Sequence, residues 1–140
     1  MVVRVAAPVD HGTTRAGHRR IVTILGGEIS GGIDAVITPG GADWQLVRPD
    51  GTVEIDGRYS ATTPVGELLY LRVAGVRSGP KVVLDELLHG GEPDPSTYYF
   101  RTVLIVETSA PRLAQLEHAV IVASCVRTSG EVRYSAYRVG

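Results

Sequence analysis

Residues 48–74 read RPDGTVEIDGRYSATTPVGELLYLRVA. Arg48-Pro49-Asp50-Gly51 places Pro second and Asp-Gly after it, the composition of a tight turn. From Thr52 to Thr62 the chain alternates. Val53, Ile55, Gly57, Tyr59 and Ala61 share one face, and Glu54, Asp56, Arg58 and Ser60 share the other. A period of two belongs to a β-strand. Pro64 to Gly66 turns the chain, and Glu67 to Ala74 returns as the antiparallel partner.

The same grammar extends both ways. Toward the N-terminus, Val2, Val3 and Val5 begin a short strand, followed by an irregular loop to Gly17. Strands follow over 19–28, 33–38 and 42–47, separated by Ser30-Gly31-Gly32 and Pro39-Gly40-Gly41. Toward the C-terminus, residues 75–80 are loop and 82–89 a short helix, stopped by Gly90-Gly91 and barred from continuing by Pro93 and Pro95. Residues 97–108 form the longest strand. Ser109 can cap a second short helix with Pro111 in its first turn, and 120–127 pairs with 131–139 around Thr128-Ser129-Gly130. Val, Ile and Thr supply 39 of the 140 residues, and Gly and Pro another 25. The expected fold is all-β: one domain over 1–140, an antiparallel closed or nearly closed barrel of 8–10 strands, with an internal pocket and two short helices near 82–89 and 110–118.

Composition narrows the function. The net charge is −1, where a protein held to phosphates needs a basic surface, so no nucleic acid is expected as partner. Thirteen Arg against the single Lys81 are scattered, as a GC-rich coding bias would leave them. No apolar run reaches 18 residues and no signal-peptide core opens the chain, so the expectation is a cytoplasmic protein with no membrane partner. One cysteine, Cys125, excludes an internal disulfide and reads as a buried inert thiol. His11, His18, His89 and His118 show no HxH or HExxH spacing, so no metal site is expected. GGEISGG (26–32) opens no helix and is a hairpin turn rather than a phosphate cradle; no cofactor is expected.

Several segments carry a resemblance: RRIVTILGG (19–27), PGGADWQLVRPDG (39–51), DGRYS (56–60), GELLYLRVAGVRSGP (66–80), GEPDPSTYYFRT (91–102), and Glu107-Thr108 before the short helix. In this order and spacing they resemble the bacterial and fungal family named domain of unknown function 3237, small β-barrel proteins. The resemblance implies an antiparallel barrel with an internal pocket and says little about activity. The chain departs from the family pattern at Thr63-Pro64-Val65, at Val103-Leu104-Ile105-Val106 and at Gln115-Leu116-Glu117-His118, which is consistent with a pocket re-lined for a particular ligand or with drift.

Candidate chemistry centres on the longest strand. Tyr99, Arg101, Val103, Ile105 and Glu107 share one face; Tyr98, Phe100, Thr102, Leu104 and Val106 share the other. Periodicity alone does not choose the interior when both faces are largely apolar. The first face has what a small-ligand cavity needs, apolar walls with a few polar groups. Glu107 is the expected general base, with Tyr99 as donor and His118 as the alternative acid–base group. Asp43, Trp44, Asp56, Arg58, Tyr70 and Arg101 are the expected ligand-binding residues. The competing reading makes Arg101 with Glu107 or Asp56 an ion pair that only holds the fold, Asp56–Arg58 an exposed pair, and Trp44 a core plug.

The expected function is a cofactor-free enzyme of isomerase, cyclase or lyase type acting on an apolar or aromatic metabolite inside the barrel. Alternatives are a lipocalin-like binding barrel without catalysis and a structural or oligomerisation module. Val-rich strands around a small interior also predict a homodimer or larger homo-oligomer through an outer face.

Overall fold

A computed structural model describes all residues, 1–140. Ten strands form one antiparallel sheet: β1 (Val2–Val5), β2 (Val9–Thr14), β3 (Gly17–Ile29), β4 (Ala35–Ile37), β5 (Ala42–Val47), β6 (Val53–Thr62), β7 (Leu68–Ser78), β8 (Tyr99–Glu107), β9 (Val120–Thr128) and β10 (Glu131–Val139). The order runs β1-β10-β9-β8-β7-β6-β4-β3-β2, with β5 between β3 and β6, and β1 also pairs with β3. That last pairing closes the sheet into a barrel of eight strand positions.

Two positions are shared. β5 pairs with the first part of β3 and of β6, and β4 pairs with their far ends, so the two short strands follow one another in a single slot. β1 and β2 likewise divide the other edge of β3, with Val2–Val5 opposite residues 24–28 and Val9–Thr14 opposite 17–21. β2 occupies a stretch expected to be irregular. Its residues alternate poorly and lie mostly exposed, because it extends the β3 hairpin beyond the core.

The Arg48–Gly51 turn forms as expected: the Gly51 amide donates to the Arg48 carbonyl at 2.9 Å, and Gly51 takes φ +88°. At Gly75 a Cβ would run into the Arg101 carbonyl and the Thr102 backbone, so β7 and β8 approach there only because the position has no side chain.

One α-helix, α1 (Lys81–Leu88), follows β7 directly and buries Leu84 and Leu87 against the end of the barrel. The second expected helix is a 3-10 turn over Pro111–Leu116. Pro111 starts it, but no side chain caps it, and six residues are too few to repay α-helix nucleation. The core is one cluster of 24 buried residues filling the barrel and the space beneath α1. No helix is long and apolar enough to cross a membrane.

Candidate functional site

The inward faces follow from parity. β6 turns Val53, Ile55, Gly57, Tyr59 and Ala61 inward, and β8, with Tyr98 just before it, turns Tyr98, Phe100, Thr102, Leu104 and Val106 inward. Three inward faces share a further pattern. Along β3 it reads Arg20, Val22, Ile24; along β7, Leu71, Val73, Gly75, Arg77; along β9, Ala123, Cys125, Arg127. Each apolar row meets an arginine at one end. Because β7 and β9 run opposite to β3, the start of β3 and the ends of β7 and β9 fall at the same end of the barrel. That is also the end covered by α1.

There the barrel encloses a cavity of about 60 Å³. Its polar lining is Arg20, Asp43, Gln45, Tyr59, Arg77, Arg127 and Tyr134; Val22, Ile55, Phe100 and Val132 are among its apolar walls, and Leu87 and Leu88 of α1 close it. Gly57, directly across from Asp43, adds no side chain and leaves the space open.

Asp43 is the one carboxyl in this lining. Its Oδ2 accepts from Gln45 Nε2 at 2.8 Å and its Oδ1 from the Asp56 backbone N–H at 2.9 Å. Burial raises its pKa above the ordinary carboxyl range; the two donors act the other way, favouring the carboxylate, but do not cancel the burial. Arg77 is 4% exposed, and its guanidinium lies 5.7 Å over the Phe100 ring. Burial, helped by repulsion from Arg127 and Arg20, pulls its pKa down to about 10. Arg20 donates to the Leu88 carbonyl at 3.3 Å, tying α1 to β3. Arg127 Nη1 donates to the carbonyls of Thr128 at 2.8 Å and Glu131 at 3.0 Å. Burial raises the pKa of both the Tyr59 and the Tyr134 hydroxyl, so both stay neutral, and the Tyr59 hydroxyl is buried without a hydrogen-bond partner. Cys125 is a buried thiol pushed up to about 11 by burial, beside Thr102 Oγ1 at 3.4 Å. Its burial is as expected.

Of the nine residues expected to form the site, only Asp43 lines this cavity. Tyr99, Arg101 and Glu107 point outward, with Tyr99 51% exposed. The barrel takes the opposite face of β8 because that face buries five side chains without burying a charge. Its two hydroxyls have partners: Tyr98 accepts from the Arg127 backbone N–H at 3.1 Å, and Thr102 meets Cys125. Outside, Arg101 lies 5.1 Å over the Tyr99 ring and donates to the Phe100 carbonyl at 2.9 Å, so it does not pair with Glu107. Trp44 also faces out, since Asp43 and Gln45 take the inward positions. Asp56 and Arg58 form an exposed pair at 3.4 Å, with Arg72 at 4.0 Å. Tyr70 shares a shallow outer groove with Arg58. His118 is exposed after the 3-10 turn, and His89 Nδ1 bonds the Asp85 carbonyl at 2.7 Å at the end of α1.

The cavity residues that sequence reading missed are Arg20, Gln45, Tyr59, Arg77, Arg127 and Tyr134. Most had a signal: Tyr59 lies on the apolar face of 53–61, and the three arginines continue apolar faces in step.

Comparison with known proteins places the whole chain. Residues 1–139 match the family DUF3237, described as proteins of unknown function. A UPF0311 protein of Bradyrhizobium diazoefficiens is 34% identical over 139 residues, covering 99% of this chain and 91% of the relative. The crystal structure of a conserved protein of unknown function from Rhodopseudomonas palustris superposes with a TM-score of 0.94 at 34% identity, covering 99% of this chain and 91% of that one. A β-barrel-like protein from Acinetobacter baumannii gives 0.84 at 37% identity, covering 99% and 90%. Sequence and barrel agree from end to end, and the chain belongs to the DUF3237 family.

Proposed function

We propose that the protein is a cytoplasmic, cofactor-independent enzyme of the isomerase, cyclase or lyase type, moving a proton on a small carbonyl-bearing metabolite inside the barrel. The observation that carries this reading is Asp43, a desolvated carboxyl with raised pKa, held in place by Gln45 and set in an otherwise apolar and cationic cavity. In the isomerase form, the Asp43 carboxylate takes a proton from the carbon next to the carbonyl. The electron pair moves onto the carbonyl oxygen, where a neutral phenol, Tyr59 or Tyr134, donates a hydrogen bond. With a β,γ-unsaturated substrate, the Asp43 carboxylic acid then returns its proton to the γ-carbon of the dienolate while the oxygen's electron pair re-forms the carbonyl, so the double bond moves into conjugation and no atom or electron is gained or lost.

Proton exchange with solvent reads this directly. A panel of small keto acids, lactones and enols is incubated with the protein in deuterium oxide and followed by proton NMR. At least one compound should incorporate deuterium, and Asp43→Asn should slow that exchange by about 100-fold or more, the usual weight of a positioned general base. No exchange above buffer for any compound defeats the enzyme reading. Saturable binding without exchange makes the barrel a carrier instead.

The proposed assembly is a homodimer through the outer faces of β8 to β10. Val103, Ile105, Val120, Val122, Tyr137 and Val139 are exposed there. Arg101 and Glu107 flank Val103 and Ile105 along β8. A two-fold axis between those two residues sets Arg101 against Glu107 of the partner subunit, and the face is complementary to itself.

A further inference from the structure

Arg77 is a buried cation with no direct ion-pair partner. Its Nε is fully buried and has no hydrogen-bond partner in the protein. The chain's ion pairs all lie elsewhere: they use Arg4, His18, Arg48, Arg58, Arg72, Lys81, Arg112 and Arg133. Asp43 acts on Arg77 only at a distance: its oxygens take Gln45 and the Asp56 N–H, and it forms no ion pair with Arg77. Arg20 and Arg127 line the same cavity, each spending donors only on backbone carbonyls. Three guanidinium groups thus face one carboxyl in a space closed by apolar side chains. A buried charge left in that state is costly unless something of opposite sign enters.

From this arrangement we infer that the cavity is a carboxylate site, in which Arg77, supported by Arg20 and Arg127, holds the carboxylate of a small organic acid. The class follows from size and shape. About 60 Å³ holds roughly four to six waters, enough for a carboxylate with a few carbons. Nε and one Nη of a guanidinium form a planar fork that matches the two oxygens of a carboxylate. Phosphate and sulfate are tetrahedral, so they fit a planar fork less well, and they are harder to strip of water at this depth. The inference rests on the acid–base reading in one respect: it names the substrate class of that site, a carbonyl compound that also bears a carboxylate. The Arg77 end would anchor the acid group and leave the reacting carbon to Asp43.

Calorimetric and thermal-shift titrations at constant ionic strength test it, with acetate, pyruvate, butyrate, phosphate and sulfate as probes. At least one carboxylate should bind saturably and raise Tm, while phosphate and sulfate do not. Arg77→Met should weaken that binding tenfold or more without lowering the ligand-free Tm, since it replaces an unpaired buried charge with an apolar chain. Arg77→Lys keeps the charge but loses the fork and should fall between. Asp43→Asn should bind the carboxylate at least as tightly as wild type, because a negative neighbour is gone. Carboxylate binding without any Asp43-dependent exchange leaves this inference standing and removes the acid–base reading. Exchange without carboxylate binding does the reverse. Equal response to phosphate and sulfate, or binding unchanged in Arg77→Met, overturns the carboxylate site.

Discussion

An aspartate taken out of water should make its presence felt in stability as well as in chemistry. The folded-state pKa of Asp43 lies above its ordinary value of 3.8. Between the two values the folded chain binds more protons at this position than the unfolded chain, so stability falls as pH rises through that window. The contribution is present below about 3.8 and lost above the folded pKa. Asp10, Asp50, Asp94 and Glu67 have lowered pKa values and work in the opposite sense. Thermal unfolding of Asp43→Asn beside wild type separates them. Whatever the constant offset, Tm of the variant relative to wild type should climb as pH rises through and above 3.8. A flat difference would mean that the carboxyl is not desolvated. Asp43 itself was named from the sequence as a ligand-binding residue, and the structure sets it in the cavity lining. Its orienting partner Gln45 was not, because nothing in a lone glutamine two residues on shows that both side chains turn inward.

Among the elements, the strands were read far better than the direction they face. The 52–62 alternation, the turn before it and the 120–139 hairpin all stand where the sequence put them. β8 shows why the site did not follow. Its two faces are both rich in apolar residues, and what chooses between them is the cost of burying Arg101 and Glu107, which a local pattern does not weigh against the partners available to Tyr98 and Thr102. The arginines of the cavity were obscured for a related reason. Arginine in a strand reads as a solvent face, whereas here three apolar rows each meet one at the same barrel end. α1 was read correctly, and its contribution is specific: Leu84 is 1% exposed, and its side chain lies against Gly51 of the β6 turn. Leu84→Ala should cost about 2–5 kcal/mol, the range for emptying a buried leucine site. Denaturant unfolding monitored by circular dichroism checks this. A loss under about 1 kcal/mol would show that α1 rests loosely on the barrel.

For the whole molecule, the outer face of β8 to β10 predicts the assembly. Sedimentation at tens of micromolar should give a dimer for wild type and a monomer for Val103→Lys, with the barrel still folded. A monomeric wild type ends the dimer proposal.

Closure of the barrel joins the ends of the chain. β1 pairs with β10 on one side and with β3 on the other, and the Met1 ammonium donates to the Tyr134 carbonyl at 2.9 Å. A ribosome making this protein delivers β1 first and its partner β10 last. Until residues 131–133 clear the exit tunnel, the seam stays open, and the rows that will line the cavity lie bare on an unfinished sheet. β1 therefore waits until every other strand of the sheet has been made. The nascent chain is most vulnerable to sticking to its neighbours in the interval before β10 arrives.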